Sequence, residues 1–158
     1  MTDDARFEDG REEPLALRAE TDEDLQVMSS LCQDAVFPIT EMTWRKGERR
    51  FALLLNRFRW EDAPAAARRS RDFERVQSVL MFADVLRVQV QGLDPAEKQS
   101  VLSLLSVAFV PGEDATGRVV LTLAGDGAIA LDVECLDATL KDVTRPYIAP
   151  SRKQPDHK

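Results

Sequence analysis

The sequence predicts an α+β domain in which one N-terminal amphipathic helix accompanies a mostly antiparallel, strongly bent sheet or partly open barrel. Apolar residues repeat at helical spacing early in the chain and at strand spacing over most of the remainder. Short glycine-containing turns join several of the strand-like runs. Strands and helices do not alternate, which argues against a doubly wound parallel sheet. A pleckstrin-homology-like architecture is the specific form that this pattern favours.

The chain has 158 residues and fits a single domain over residues 14–146. With 44% apolar and 31% charged residues it has the composition of a globular protein. The acidic residues 1–13 and the polar residues 147–158 are predicted to be disordered tails. No run approaches the roughly 18 apolar residues that a membrane-spanning helix needs, and we expect no membrane association. A cytoplasmic location is the simplest interpretation.

A short strand over residues 15–19 is expected to precede the helix. Thr21 offers a hydroxyl N-cap, and the acidic residues that follow it suit the positive end of the helix dipole. Leu25, Met28 and Leu31 then recur at helical spacing, which predicts a helix over residues 22–34. Its apolar stripe is expected to face the core.

The next segment is predicted to be a hairpin with strands over residues 36–44 and 49–60. Residues 45–48 would form the turn, with Gly47 supplying a positive φ. Phe51, Leu53 and Leu55 share one face of the second strand. Apolar residues also occupy its other face, which is typical of a central strand. Residues 61–72 contain Pro64 and are expected to form a loop or a short helix.

The remaining chain predicts further antiparallel strands, about eight in all. A strand signal over residues 73–91 bends near Ala83 and Asp84. Its apolar residues are predicted to lie on one parity, namely Val76, Leu80, Phe82, Leu86, Val88 and Val90. Residues 101–110 are interpreted as a strand rather than a helix because of their β-branched residues and the Pro-Gly that follows. Residues 119–123 and 128–135 flank a Gly-rich turn. A turn of helix is predicted over residues 137–143.

The rarity of histidine excludes most familiar catalytic chemistry. The single histidine, His157, lies in the predicted C-terminal tail. A Ser-His-Asp triad, a Cys-His pair or a two-histidine zinc site needs an imidazole held in a folded pocket. Cys32 and Cys135 show no metal-binding spacing, and each is expected to be a buried thiol. We therefore expect no catalytic residue, no metal and no cofactor.

Positive charge is concentrated in residues 45–75, which hold ten basic and five acidic residues, whereas residues 1–44 hold three and twelve. This contrast singles out a possible contact site for a protein partner or an anion. Its members are Arg45, Lys46, Arg49, Arg57, Arg59 and Trp60. Arginine forks pair with phosphate, and aromatic faces stack on bases. The alternatives are a solvated face, a strand edge guarded against aggregation, or pairing with acids of the same chain.

Asp132 and Glu134 place two carboxylates on one side of a predicted strand, which could bind a hard cation or divide acid and base roles. The same pattern is ordinary on the solvent face of a hairpin, and we favour that interpretation. The segment from Gly125 to Gly127 joins two strands and lacks the helix N-terminus of a phosphate-binding loop.

Four segments carry a resemblance to a known family. They are QDAVFPITEMTWRKGERRFALLLNRFRWED (33–62), FERV (73–76), LSLLSVAF (102–109) and AGDGAIALDVECLDATLKD (124–142). Together they resemble an alphaproteobacterial family described as domain of unknown function 2948. The resemblance implies a bacterial cytosolic protein that stands as a complete domain. It brings no activity, ligand or catalytic residue to transfer.

The leading hypothesis is therefore a non-catalytic cytosolic interaction or adaptor domain, with an unknown protein partner or a second copy joined through a sheet edge. A small anionic-ligand-binding protein or a histidine-independent enzyme is the alternative. Weak nucleic-acid binding comes third, because a pI of about 4.8 disfavours contact with phosphates.

Overall fold

A computed structural model describes residues 14–62, 74–144 and 147–148 of the chain. These residues form eleven strands and one α-helix, with short 3-10 turns at Ile39–Glu41, Lys46–Glu48 and Trp60–Asp62. The elements are β1 (Ala16–Ala19), α1 (Asp22–Leu31), β2 (Val36–Pro38), β3 (Met42–Arg45), β4 (Arg50–Phe58), β5 (Glu74–Phe82), β6 (Val85–Gln91), β7 (Val101–Pro111), β8 (Gly117–Leu123), β9 (Ala128–Val133), β10 (Ala138–Asp142) and β11 (Tyr147–Ile148).

The strands follow the order β1-β10-β5-β4-β2-β7-β8-β9-β6, and β3 and β11 pair with β4 and β5 outside this path. Every strand pair is antiparallel. The two end strands, β1 and β6, do not pair with each other, so the sheet stays open. The predicted α+β class with a bent, mostly antiparallel sheet is confirmed, and the sheet is not closed into a barrel.

The sheet bends where β5 continues into β6 and β9 continues into β10. Asp84 has a φ of 54° at this corner. Across it, the Ala83 N–H donates to the Asp137 carbonyl and the Glu134 N–H donates to the Asp84 carbonyl, each at 2.9 Å. The two bent strands therefore remain paired through the corner. The bend predicted near Ala83 and Asp84 is confirmed.

Helix α1 begins where the sequence places it. The Thr21 hydroxyl accepts a hydrogen bond from the Asp24 N–H at 3.2 Å, which satisfies one of the free amides of the first turn. Leu25 and Met28 are buried, and the helix packs against β1 and β7. Ser29 contributes a polar contact, since its Oγ accepts from the Val107 N–H at 2.8 Å. No helix in the described part is long and apolar enough to cross a membrane.

The core lies inside the bend of the sheet, beneath α1. It consists of apolar side chains that alternate along the strands with more exposed ones. The strand residues of this core include Phe37, Phe51, Leu53, Leu55, Leu80, Phe82, Leu104, Val107, Val119, Leu121, Leu123, Ile129, Leu131, Val133 and Leu140.

The hairpin between β3 and β4 differs from its prediction in two ways. The strand predicted over residues 36–44 is divided into β2 and β3 by a 3-10 turn that follows Pro38, because proline has no N–H with which to continue a ladder. The left-handed residue of the turn is Arg49, with a φ of 56°, and not Gly47. Register places Arg45 opposite Arg50, so the chain reverses within Lys46–Glu48 and Arg49.

Two further predictions are wrong. Residues 137–143 form strand β10 instead of a turn of helix, because Ala138, Leu140 and Asp142 alternate with more exposed residues at a period of two. Beyond the bend, Val85 is buried and Leu86 is exposed, whereas Val88 and Val90 lie on the side of the buried Leu131 and Ile129 although Val90 is 40% exposed. A register irregularity between Val85 and Arg87 shifts the alternation there.

The two predicted terminal tails and the predicted 61–72 loop fall largely outside the described residues. Within the C-terminal stretch, Tyr147–Ile148 pairs with β5. Within the predicted loop, the described part is the end of the 3-10 turn Trp60–Asp62.

Candidate functional site

The structure divides the predicted basic site into an inner and an outer group. Arg57 and Arg59 are buried, with 0% and 5% exposure. Trp60 is half-buried, and Arg45, Lys46 and Arg49 are exposed at the tip of the β3–β4 hairpin. Arg68, Arg69 and Arg71, from the same basic stretch, lie outside the described residues. The six candidates therefore do not form one continuous surface.

Arg57 occupies the centre of a buried ion-pair network at the end of β4. Its Nη2 lies 3.0 Å from Asp142 Oδ1, and its Nε donates to Ser78 Oγ at 3.0 Å. Ser78 Oγ in turn donates to Asp142 Oδ1 at 2.7 Å. The other side of the guanidinium meets Glu61, with nitrogen–oxygen distances of 2.9 and 2.8 Å. The single side chain thus joins β4, β5, β10 and the 3-10 turn that follows β4.

The network also reaches the first strand of the sheet. The Leu15 N–H donates to Asp142 Oδ2 at 2.9 Å, and the Asp142 N–H donates to the Leu15 carbonyl at the same distance. Asp142 therefore accepts from one charged side chain, one hydroxyl and one backbone amide. A buried carboxylate with this many donors is well satisfied. The network around Arg57 and Asp142 therefore has a structural role, since it connects separate strands of the sheet.

Charge and burial act in opposite directions on these groups. Burial alone would lower the pKa of Arg57, but its hydrogen bonds and ion pairs with Glu61 and Asp142 raise that pKa above its ordinary value. Burial would likewise raise the pKa of Glu61, and Arg57 reverses this effect and lowers it. Arg57 and Glu61 therefore both remain charged at neutral pH.

Arg59 and Trp60 are also used internally. Arg59 Nη1 pairs with Glu74 Oε1 at 2.7 Å. The Trp60 indole Nε1–H donates to the Gln33 carbonyl at 2.9 Å. The Trp60 ring stands edge-on to Phe58, with 4.7 Å between the ring centroids. These contacts anchor the 3-10 turn after β4 and leave neither side chain as an open stacking platform.

The tip of the β3–β4 hairpin carries the exposed basic residues. Arg45 pairs with Glu48 at 3.3 Å, and Arg49 pairs with Glu134 at 2.9 Å, and the side chains of both pairs are more than half exposed. Such exposed pairs contribute little stability, typically about 0–1 kcal/mol. Lys46 and the adjacent Arg50 are exposed and have no ion-pair partner among the described residues. We name the four residues Arg45, Lys46, Arg49 and Arg50 together the basic tip.

The basic tip adjoins the free edge of β6. The Val85 N–H donates to the Arg49 carbonyl at 2.9 Å, so the tip covers the start of β6. Beyond that point β6 pairs with β9 on one side, and no described strand pairs with it on the other. The open edge ends at Gly92, where φ is 70°. We name residues 87–91 the β6 edge.

The other sequence candidates have ordinary roles. Asp132 pairs with Arg118 at 2.8 Å, and Glu134 pairs with Arg49, so both carboxylates are engaged on the solvent side. No group of three or more metal-ligating side chains occurs within the described ranges. A cavity of about 500 Å³ beside β6 has Leu86 and the Arg118–Asp132 pair in its wall.

The two cysteines differ in environment. Cys32 is fully buried, and burial raises the pKa of its thiol to about 12. Cys135 is partly exposed, contrary to its predicted burial, and its Sγ donates to Asp84 Oδ2 at 3.2 Å. This hydrogen bond is the main cause that raises the pKa of Cys135. Neither thiol is activated, since both pKa values lie above the ordinary value.

A family model described as a protein of unknown function (DUF2948) matches residues 15–157. The chain belongs to the DUF2948 family. No curated protein and no solved structure matches it. The resemblance found in the sequence is thus confirmed, and the match spans every described element of the fold.

For this DUF2948 member, sequence reasoning missed that Arg57 is a core residue, although a signal for it was present. Arg57 has the same strand parity as Phe51, Leu53 and Leu55, which are buried. Asp142 continues the buried series of β10 in the same way. A polar residue that follows buried apolar residues on the same face of a strand is a candidate for a buried network. Arg57 and Asp142 are both of this kind, but the strand register is needed to show that they meet.

Proposed function

We propose that this protein is a non-catalytic cytosolic interaction domain whose contact surface is the basic tip together with the β6 edge. The observation that supports the proposal is the division of the arginines. Those that the chain uses for its own stability are buried in ion pairs with Asp142, Glu61 and Glu74. Lys46 and Arg50 are left exposed beside β6, a strand that pairs with β9 on one side only.

An open strand edge and a cluster of cations have complementary uses in binding. The edge supplies backbone N–H and C=O groups to an added strand, which gives affinity. Exposed cations steer an acidic partner and fix its orientation. The two features are adjacent here, because the Arg49 carbonyl and the Val85 amide join the tip to the start of β6. The protein class that fits both is one that presents an extended segment with acidic residues nearby.

The proposal is tested by affinity capture from a bacterial lysate with quantitative mass spectrometry. The test variant is Lys46→Glu/Arg50→Glu, which reverses two exposed charges of the tip. The matched control is Arg18→Glu/Lys141→Glu, since both side chains are exposed and lie on β1 and β10, at the end of the strand order opposite β6. We expect proteins captured by the wild-type chain to be lost with the tip variant and retained with the control.

Two outcomes of this experiment would contradict the proposal. If the tip variant and the control retain the same captured proteins, the basic tip is a solvated face and the proposal fails. If capture is lost with both variants, it depends on overall charge rather than on this surface, which also contradicts the proposal. Circular dichroism of each variant confirms that the fold is unchanged.

A further inference from the structure

The β6 edge has a sequence that can pair with itself. The segment reads Arg87-Val88-Gln89-Val90-Gln91, and it has strand character throughout. In an antiparallel pair, residues directly opposite each other point to the same side of the sheet. The Val-Gln-Val centre reads the same in both directions, so a two-fold axis at Gln89 aligns like with like.

We infer that two copies of this chain associate through antiparallel pairing of their β6 edges about a two-fold axis at Gln89. This inference rests on the proposed function, because it takes the same surface and names a second copy as its partner. The pairing would join the two β7-β8-β9-β6 sheet segments into one continuous sheet. A closed two-fold interface of this kind is the commonest form of oligomer.

The register at Gln89 is the one that the side chains favour. It places Val88 opposite the partner's Val90, on the side of the sheet where Val88 faces Leu131 and Val90 faces Ile129 across β9. On the other side, Arg87 meets the partner's Gln91. A register centred on Arg87 would instead oppose two arginines, which destabilises a strand pair.

The extent of the open edge agrees with this register. The hairpin tip occupies the edge at Val85, and the irregularity between Val85 and Arg87 interrupts the ladder there. At the other end Gly92 turns the chain away. The regular open stretch is therefore residues 87–91, which is the set that pairs completely when the axis passes through Gln89.

The edge has only part of the usual protection against pairing, namely the charge of Arg87 and the irregularity before it. Natural edges are commonly guarded by lysine, proline or inward-pointing charge. Strand β6 contains no lysine and no proline, and Val90, at 40% exposed, leaves apolar surface at the open edge. Pairing with a second copy would cover this side chain.

Charge complementarity supports the same partner. Because the two strands run in opposite directions, the segment that follows β6 in one copy reaches the start of β6 in the other. That segment carries the exposed acids Asp94 and Glu97 and the exposed Lys98, so acidic residues outnumber basic ones by two to one. The start of β6 is bordered by the basic tip, in which Lys46 and Arg50 have no ion-pair partner among the described residues. Each copy thus brings an acidic loop towards a basic tip.

The size of the contact sets the expected strength. One strand pair with two flanking loops belongs at the small end of specific interfaces, below about 1,200 Å² of total buried area. We therefore expect a weak dimer that dissociates on dilution. Sedimentation velocity of the full chain over a wide concentration range measures this directly, and the wild-type protein is expected to shift from monomer to dimer.

A charge-exchange experiment tests the axis. Gln89→Lys and Gln89→Glu each place like charges opposite each other at the axis, so each variant alone should dimerise about two- to five-fold more weakly than wild type. An equimolar mixture places Lys opposite Glu and should recover dimer. Gln26→Lys and Gln26→Glu, on the exposed face of α1, are the matched controls and should behave as wild type. Gln89 is exposed, so the variants retain the fold.

Three results would overturn the inference. They are a wild-type chain that stays monomeric at every concentration, Gln89 variants that dimerise as well as wild type, and a mixture that recovers no dimer. A monomeric chain whose captured proteins still depend on Lys46 and Arg50 would refute the second copy as partner and leave the proposed function intact. A dimer that follows the Gln89 pattern while capture is insensitive to Lys46 and Arg50 would support the inference and refute the role of the basic tip.

Discussion

Replacing Arg57 with alanine is predicted to be among the most destabilising substitutions in the described part of the chain. Arg57 is fully buried, and the Asp142 side chain that it neutralises is only 4% exposed. Removing one partner of a buried ion pair leaves an uncompensated charge and costs about 3–5 kcal/mol. The Ser78 hydroxyl and the Leu15 amide still donate to Asp142, which limits the loss, whereas the empty volume of the arginine adds to it. We expect a decrease of about 4 kcal/mol in the free energy of unfolding.

Urea denaturation followed by circular dichroism measures this change. With a typical slope of about 2 kcal/mol per molar urea, the midpoint should fall by about 2 M. The comparison is Arg49→Ala, which breaks the exposed pair with Glu134 and should cost about 0–1 kcal/mol. The double variant Arg57→Met/Asp142→Leu removes both charges and should lie much closer to wild type than Arg57→Ala does. Equal losses for Arg57→Ala and Arg49→Ala would refute the structural role of Arg57.

Three other predictions concern pH, thiol reactivity and backbone fit. Because Arg57 lowers the pKa of Glu61 in the folded state, the stability that Glu61 contributes is present above its ordinary pKa of 4.5 and is lost as pH falls through the lower folded value. Glu61→Gln should remove this part of the acid sensitivity when thermal unfolding is measured from pH 6 to about 3. A Glu61→Gln variant with the same pH profile as the wild type would contradict this prediction. In the folded chain a thiol reagent should modify the partly exposed Cys135 first and Cys32 only on unfolding, and equal rates, read by mass spectrometry, would argue against the burial of Cys32. Gly117→Ala should lower the free energy of unfolding by about 1–3 kcal/mol, because a Cβ there would lie 2.5 Å from the Phe109 ring. Gly47→Ala should be nearly neutral, since nothing lies within 4 Å of its added Cβ. Thermal melts in which Gly47→Ala is the more destabilised variant would contradict this packing.

The sequence predicted those parts of the fold that depend on local chemistry. The N-cap at Thr21 and the Gly-rich turn at residues 124–127 carry their own signals, and both are present in the structure. Strand period was sufficient for β9, whereas β7 was predicted from its β-branched residues and the Pro-Gly that follows. The errors occur where longer-range pairing decides the outcome: residues 137–143 form a strand because β10 lies between β1 and β5.

The candidate site was only partly accessible to the same reasoning. Composition located the positive charge, but a count of arginines cannot separate a buried ion pair from an exposed cation. That separation depends on register, which sets Asp142 opposite Ser78 and Ser78 opposite Leu55, two residues from Arg57. The free edge of β6 depends on strand order, which a single sequence does not encode locally.

The proposed contact surface is the β6 edge together with the basic tip, and a dilution series of ¹H–¹⁵N correlation spectra observes both at once. As concentration rises, the amide signals of Arg87 to Gln91 and of the tip residues Lys46, Arg49 and Arg50 should shift together. The amide signals of β8, which lies between β7 and β9, should not shift. Spectra that are independent of concentration, or shifts confined to another surface such as the outer face of β7, would contradict the account.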